Sequence, residues 1–284
     1  MFFLNCQFGH QTRVRTLIAF GVAAFGPLMA LMLFLLAISL QSDVAASPQD
    51  DRRPTVAIMI GEPEYKTSET LPRFADQFLR DDYRVVFVME DSMAENRFPG
   101  IDQITDADVL VISVRRKTLP KEQLDVVRQY VEAGKPVIGI RTANHAFCLR
   151  NQDAPQGCDQ WPEFDAEVFG GNYTGHHARD LPSTVRVAES AKTHPIVAGV
   201  SDEELVQIGS LYKTAPVAEA ANVLLNGELR GNDGKSGSVE PVAWTFERSD
   251  GGRSFYTSLG HPAEFANPVC QKLLRAAIDW AVSP

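Results

Sequence analysis

Five of the six histidines fall in four short clusters: Gly139-Ile140-Arg141-Thr142-Ala143-Asn144-His145, Gly170-Gly171-Asn172-Tyr173-Thr174-Gly175-His176-His177, His194-Pro195 and Leu259-Gly260-His261-Pro262-Ala263-Glu264-Phe265. Imidazole titrates near neutral pH, so such clusters are candidates for general acid–base work. His145 and His261 are the leading candidates, and Glu264 close behind His261 offers a histidine–carboxylate pair. His176 and His177 are adjacent, and neighbouring side chains point in different directions, so one of the two is expected to face a ligand. Arg141 presents a planar donor fork that can hold a carboxylate or vicinal hydroxyls. It can equally form a structural ion pair with Glu62 or Glu64. Asn144, Glu64, Tyr65 and Tyr173 complete the set of candidate ligand contacts. Tyr65 and Trp161 can stack on a ring or simply pack, Trp244 and Trp280 read as core, and His194-Pro195 reads as a turn determinant.

The elements that must position these residues follow from hydrophobic patterning. Thr55–Ile60, Tyr83–Val88, Asp108–Ser113 and Pro136–Ile140 are apolar runs of strand length, the pattern of strands buried on both faces. Between them lie helix-period segments, one carrying Leu71, Phe74, Ala75, Phe78 and Leu79 behind a Thr67 or Ser68 cap. The other starts at Leu119-Pro120 and stops at Gly134. Strands alternating with helices imply right-handed βαβ units and a parallel sheet covered on both faces. Ligands of such sheets bind outside the carboxyl ends of the strands, where Arg141 and His261 fall. The second half is less regular. A short helix over Trp161–Phe169 and strands near Ser183–Ala188, Val223–Leu225, Val242–Phe246 and Phe255–Leu259 are expected, with a surface loop over Asn226–Ser238 and a closing helix after Pro268.

The first ~50 residues differ from the rest. Arg13 and Arg15 precede 24 residues, Leu17–Leu40, that would rise roughly 36 Å as a helix. Gly21, Gly26 and Pro27 interrupt them, and Val44-Ala45-Ala46 supplies small residues for cleavage after Ala46. Residues 1–46 are therefore read as a signal peptide or an uncleaved membrane anchor, 47–53 as a linker and 54–284 as one domain. In both cases the arginines stay cytoplasmic and the domain is exported, periplasmic or held at the membrane by its N-terminal segment.

Setting aside Arg13, Arg15 and Asp43 takes the totals from 27 basic and 36 acidic side chains to 25 and 35, a formal net charge of −10. That balance argues against nucleic acid as a partner and favours a small neutral or cationic ligand. Cys148 and Cys158 are ten positions apart in a polar stretch, and export permits a disulfide between them. No Cys-x₂-Cys, His-x₃-His or His-Glu-x₂-His spacing is present, so no metal is assigned. A divalent ion such as zinc is left to tertiary convergence alone. Phosphate-binding and dinucleotide fingerprints are absent, and no other cofactor is expected.

Five pieces in order resemble the ThuA-like (trehalose-utilisation-like) family: Glu64-Tyr65-Lys66-Thr67, Val137-Ile138-Gly139-Ile140-Arg141-Thr142, Gly170–His177, His194-Pro195-Ile196 and Gly251–Pro262. The resemblance spans roughly Pro54 to Val282. It implies the class I glutamine amidotransferase fold, a flavodoxin-like three-layer α/β/α sandwich with a mostly parallel central sheet, and it points to sugar metabolism. Amidotransferases of this fold carry a nucleophilic cysteine on the sharp turn after a central strand. Here the turn holds Arg141, where ThuA-like sequences tend to carry a histidine. Glutamine hydrolysis is therefore not expected. The expected function is binding, and transformation if it is an enzyme, of a carbohydrate or sugar derivative by histidine acid–base chemistry without a cysteine nucleophile. The enzyme would be a carbohydrate-active hydrolase or a keto-sugar-processing enzyme. The alternative is a sugar-binding or scaffold module that kept the fold and lost the active turn.

Overall fold

The computed structural model describes residues 51–178, 181, 183–200, 205–230 and 236–283. The expected signal peptide or anchor, with its cleavage site, lies outside them. Among the described residues no helix is long and apolar enough to cross a membrane.

Apolar runs bounded by Gly and Pro form the strands β1 (Thr55–Gly61), β2 (Arg84–Met89), β3 (Val109–Val114) and β4 (Val137–Ile140). Shorter or more polar segments supply β5 (Ser183–Val187), β6 (Val206–Gln207), β7 (Ala221–Arg230), β8 (Ser236–Glu247) and β9 (Arg253–Thr257). They join in one sheet of order β2-β1-β3-β4-β9-β8-β7-β5-β6. β2, β1, β3, β4 and β9 run parallel, and the remaining pairings are antiparallel. The carboxyl ends of the five parallel strands therefore share one edge, onto which Glu62, Arg115, Arg141 and Ser258 emerge.

Alternate strand residues feed two cores, as the pleat requires. Val56, Ile58, Ile60, Val109, Val111, Ile138 and Ile140 pack with Leu71 and Phe74 of α1 (Thr67–Phe78) and with Leu273, Leu274 and Ile278 of a C-terminal helix. Ala57, Met59, Leu110 and Ile112 pack on the other face with Leu124, Val127 and Tyr130 of α2 (Lys121–Glu132). A single helical turn, α3 (Pro262–Phe265), and the 15-residue α4 (Pro268–Val282) follow. Each large apolar side chain buried this way contributes about 1.5–3 kcal/mol, and the result is the expected α/β sandwich with helices on both faces.

Four local expectations are corrected. Neither Thr67 nor Ser68 caps α1. Lys66 holds the N-cap position with φ 54°, and the buried Glu62 carboxylate accepts from the Tyr65 and Thr67 amides and the Thr67 hydroxyl at 2.7–3.0 Å. An anion beside the positive end of the helix dipole does the work of a cap. Residues 226–230 and 236–238 of the expected loop are strand, because β7 and β8 pair antiparallel with register shifts, and residues 231–235 lie outside the described residues. The polar residues of this pair suit a sheet extension with one face in water. The helix expected over Trp161–Phe169 is a single π-helical turn, Asp165–Phe169. Cys148 and Cys158 are free thiols. Their loop is closed instead by backbone pairing of Cys158 with Pro120, the Trp161 amide on Phe147 O at 2.6 Å, and Arg128 on Asp159 at 2.7 Å.

Candidate functional site

At the end of β4 the backbone turns sharply: Arg141 has φ 47° and opens a 3₁₀ turn through His145. A left-handed arginine is strained, and such strain persists only where the surroundings hold it. Arg141 is 2% exposed. Its guanidinium lies between the rings of Tyr65 and Tyr212, at 4.2 and 4.8 Å from their centroids. It donates to Ser258 O at 2.7 Å and to Tyr65 Oη at 3.3 Å, while Nε has no partner. A Cβ on Gly209 would lie 2.5 Å from the guanidinium, so only glycine lets the loop cover it so closely. Neither Glu62 nor Glu64 pairs with Arg141. Glu62 holds the start of α1, and Glu64 pairs with Arg115 at 2.8 Å. Arg141 thus stands behind the aromatic wall and sets the positions of two tyrosines.

In front of that wall lies a cleft of about 280 Å³, lined by Glu64, Tyr65, Arg115, Arg116, His145, Arg150, Tyr173, His176, Ser210 and Tyr212. A second hollow of about 580 Å³ shares Arg116, His145, Arg150, Tyr173 and His176 with it and adds Asn144 and Asp165. Volumes of roughly 300–1,000 Å³ are typical of small-molecule sites.

His145 is 5% exposed and stacks on Tyr173, with ring centroids 4.6 Å apart and planes 18° apart. Its Nδ1 meets Asn144 Oδ1 at 2.6 Å. An amide oxygen only accepts, so the ring proton sits on Nδ1 and Nε2 carries the lone pair. Among the described residues no hydrogen-bond partner reaches Nε2. Burial, reinforced by Arg116, Arg115, Arg150 and Arg141, holds the imidazole well below its usual pKa and therefore neutral. Backbone bonds from Arg116 to His145 O and from Lys117 to Ala146 O tie the end of β3 to this turn, which sets the arginines around the ring.

The other candidates separate. Glu64, Tyr65, Asn144, Tyr173 and His176 line the cleft or its extension. His177 does not. Its Nε2 is 2.8 Å from Glu240 Oε1, and Glu240 Oε2 accepts the Thr214 and Ala215 amides. His261 caps α3, its Nδ1 accepting from the Ala263 amide, and touches the edge of Tyr65 at 6.3 Å between centroids. Glu264 is 2% exposed and accepts four backbone amides: Ile208 and Gly209 on Oε1, Gly260 and His261 on Oε2, all at 2.7–3.0 Å. It joins the 208–209 loop to the end of β9 and is absent from the cleft wall. His194 caps the turn Pro195–Val197. Among the described residues no three His, Cys, Asp or Glu side chains gather as a metal site.

Sequence reasoning missed Arg115, Arg116, Arg150, Tyr212 and Asp165. Arg115-Arg116 directly follows β3, so the sheet-edge rule that singled out Arg141 could have found them. Asp165 is buried, with Oδ2 on the Tyr173 amide at 2.8 Å and Oδ1 unpartnered, and burial pushes its carboxyl up to about 7.

The fold and the cleft define a flavodoxin-like α/β sandwich whose site lies at the carboxyl edge of the parallel strands. The family model for ThuA, trehalose utilisation, matches residues 59–281, and the chain belongs to that family. A ThuA-like protein from Bacteroides uniformis ATCC 8492 has a similar structure, with a TM-score of 0.59 at 18% identity over 81% of this chain and 92% of that one. One from Parabacteroides merdae ATCC 43184 gives 0.53 at 16% identity over 82% and 91%. No curated protein matches the chain.

Proposed function

We propose that the protein binds a carbohydrate or sugar derivative in this cleft and transforms it with His145 as general base, without a cysteine nucleophile. One observation carries the reading: a buried, neutral imidazole whose Nδ1 is committed to Asn144 and whose Nε2 is unpartnered on the wall of an aromatic-lined cleft. A base in that state can take a proton from a substrate hydroxyl or from carbon beside a sugar carbonyl, and the surrounding arginines stabilise the negative charge that develops. Tyr65 and Tyr173, half-buried on the cleft wall, can pack against the apolar face of a sugar. Arg13, Arg15 and the apolar segment after them support export of the domain, periplasmic or membrane-held.

A thermal-shift panel of sugars and keto-sugars, with and without chelator, tests binding and metal dependence together, because a ligand of the native state raises its stability. For any sugar that binds, His145→Gln should keep affinity within a few-fold and lose turnover by about 10²–10⁴-fold. Equal turnover by His145→Gln and wild type refutes the base assignment. The second reading, a binding module, is favoured by Arg141 at the turn apex and by the commitment of His177 and His261 to structural bonds. Binding without turnover by the wild-type protein would decide for it.

A further inference from the structure

The cleft holds more positive charge than a neutral ligand needs. Arg115 is neutralised by Glu64 at 2.8 Å. Arg116 and Arg150 line both the cleft and its extension, yet among the described residues neither guanidinium has a carboxylate within ion-pair distance or a hydrogen-bond acceptor. Three other partly or fully buried arginines have carboxylates, Arg128 with Asp125 and Asp159, Arg248 with Asp250, and Arg275 with Asp82 and Asp279, while Arg141 and Arg253 at least donate to backbone carbonyls. Arg116 is half-buried and held at φ 51°, a strained conformation for a residue with a side chain. Loss of water and the like charge of Arg150 both oppose its protonation. A half-buried arginine and an exposed one of like charge on one concave wall are complementary to an anion that accepts from both forks.

We propose that Arg116 and Arg150 form a subsite for an anionic group, carboxylate or phosphate, on the sugar derivative bound in the cleft. This rests on the reading of the cleft as a sugar site and narrows the ligand to acidic sugars or sugar phosphates. The chemistry also links the subsite to the base. Arg116 and Arg150 help to keep the His145 imidazole neutral, and an anion between them offsets that field. The base therefore gains proton affinity when its ligand arrives.

The test is calorimetric titration of the full chain with glucuronate, glucose 6-phosphate and trehalose 6-phosphate against glucose, trehalose and inorganic phosphate. At least one acidic sugar should bind ten-fold or more tightly than its neutral parent, more weakly as salt rises, and the tighter acid identifies carboxylate or phosphate as the natural group. Arg150→Gln, at an exposed position, should fold normally and erase most of that preference; Arg116→Gln should do the same. In a site-resolved NMR titration the His145 pKa should rise on adding the acidic sugar and stay put in Arg150→Gln. Equal affinity for acidic and neutral sugars, an unchanged preference in both variants, or no binding by any probe overturns the subsite. Arginine-dependent binding of inorganic phosphate with no affinity for any sugar upholds the anion site and removes the sugar reading.

Discussion

Glu264→Gln separates a structural carboxylate from a catalytic one. The side chain accepts four backbone amides, two on each oxygen, in a site closed to water. Glutamine keeps one oxygen and turns an NH₂ toward two N–H donors. Two charge-assisted bonds are lost and donors face donors. At roughly 1.5–3 kcal/mol for each bond to a charged group, the loss is about 3–6 kcal/mol. A domain of this size moves roughly 2–4 °C per kcal/mol, so the melting midpoint should fall by about 6–24 °C. Thermal and urea unfolding followed by circular dichroism reads the change directly. Freed from Glu264, the 208–209 loop should also release its cover on Arg141, and ligand affinity in the cleft should drop with it. A catalytic acid or base predicts the opposite pattern, normal stability with lost turnover. A midpoint within about 2 °C of wild type would therefore show that the four-amide clamp does not hold this part of the fold.

Four further outcomes follow from the same geometry. Asp165 has a folded pKa raised from 3.8 to about 7 by burial, so the folded state binds the extra proton between those values and stability falls as pH rises through that window. Asp165→Asn should remove this slope and gain about 2–4 kcal/mol at pH 8 and nothing below pH 4, read as urea midpoints across pH. His145 has the opposite sign, its folded pKa lying below 6.5: stability is lost as pH falls below 6.5, and His145→Gln should flatten that limb. Burial pushes the Cys270 thiol up to about 12 and raises Cys148, so mass spectrometry after iodoacetamide at pH 7.5 should find Cys270 unmodified until urea unfolds the chain. Arg141→Lys loses the planar fork between two rings and should cost about 2 kcal/mol of stability in urea unfolding.

How far the chain could be read varied with what each signal depends on. β1 was legible to within a residue because Thr55–Ile60 is an unbroken apolar run ended by glycine, a pattern set by burial on both faces. Residues 226–230 and 236–238 read as loop because an antiparallel extension wetted on one face has the composition of a loop, and only the pairing of β7 with β8 distinguishes the two. Glu64, Tyr65, Asn144, His145, Tyr173 and His176 line the cleft or its extension, and their places near strand ends or glycine turns are what made them legible as candidates. His261 and Glu264 were singled out as an acid–base pair, whereas His261-Pro262-Ala263-Glu264 has the spacing of a capping box with proline at the first helical position. That signal was local and available. Tyr212 carried none, since its place beside Arg141 depends on how an irregular segment returns across the sheet edge.

Charge shows most clearly why composition and site can point in opposite directions. The chain has a formal net charge of −9, which by itself favours a neutral or cationic ligand. Yet at physiological ionic strength a surface charge is largely screened beyond about 8 Å. A ligand in the cleft therefore responds to the groups that line it rather than to the total. Those groups are Arg115, Arg116 and Arg150 against the single carboxylate of Glu64, with Asp165 in the extension partly protonated near neutral pH. The local balance is positive where the global one is negative. A globally acidic balance is therefore compatible with a cleft in which an anion finds more attraction than repulsion. Raising salt should weaken acidic-sugar binding while leaving a neutral sugar's affinity nearly constant, and that difference in slope isolates the cleft's own field from the charge of the whole molecule.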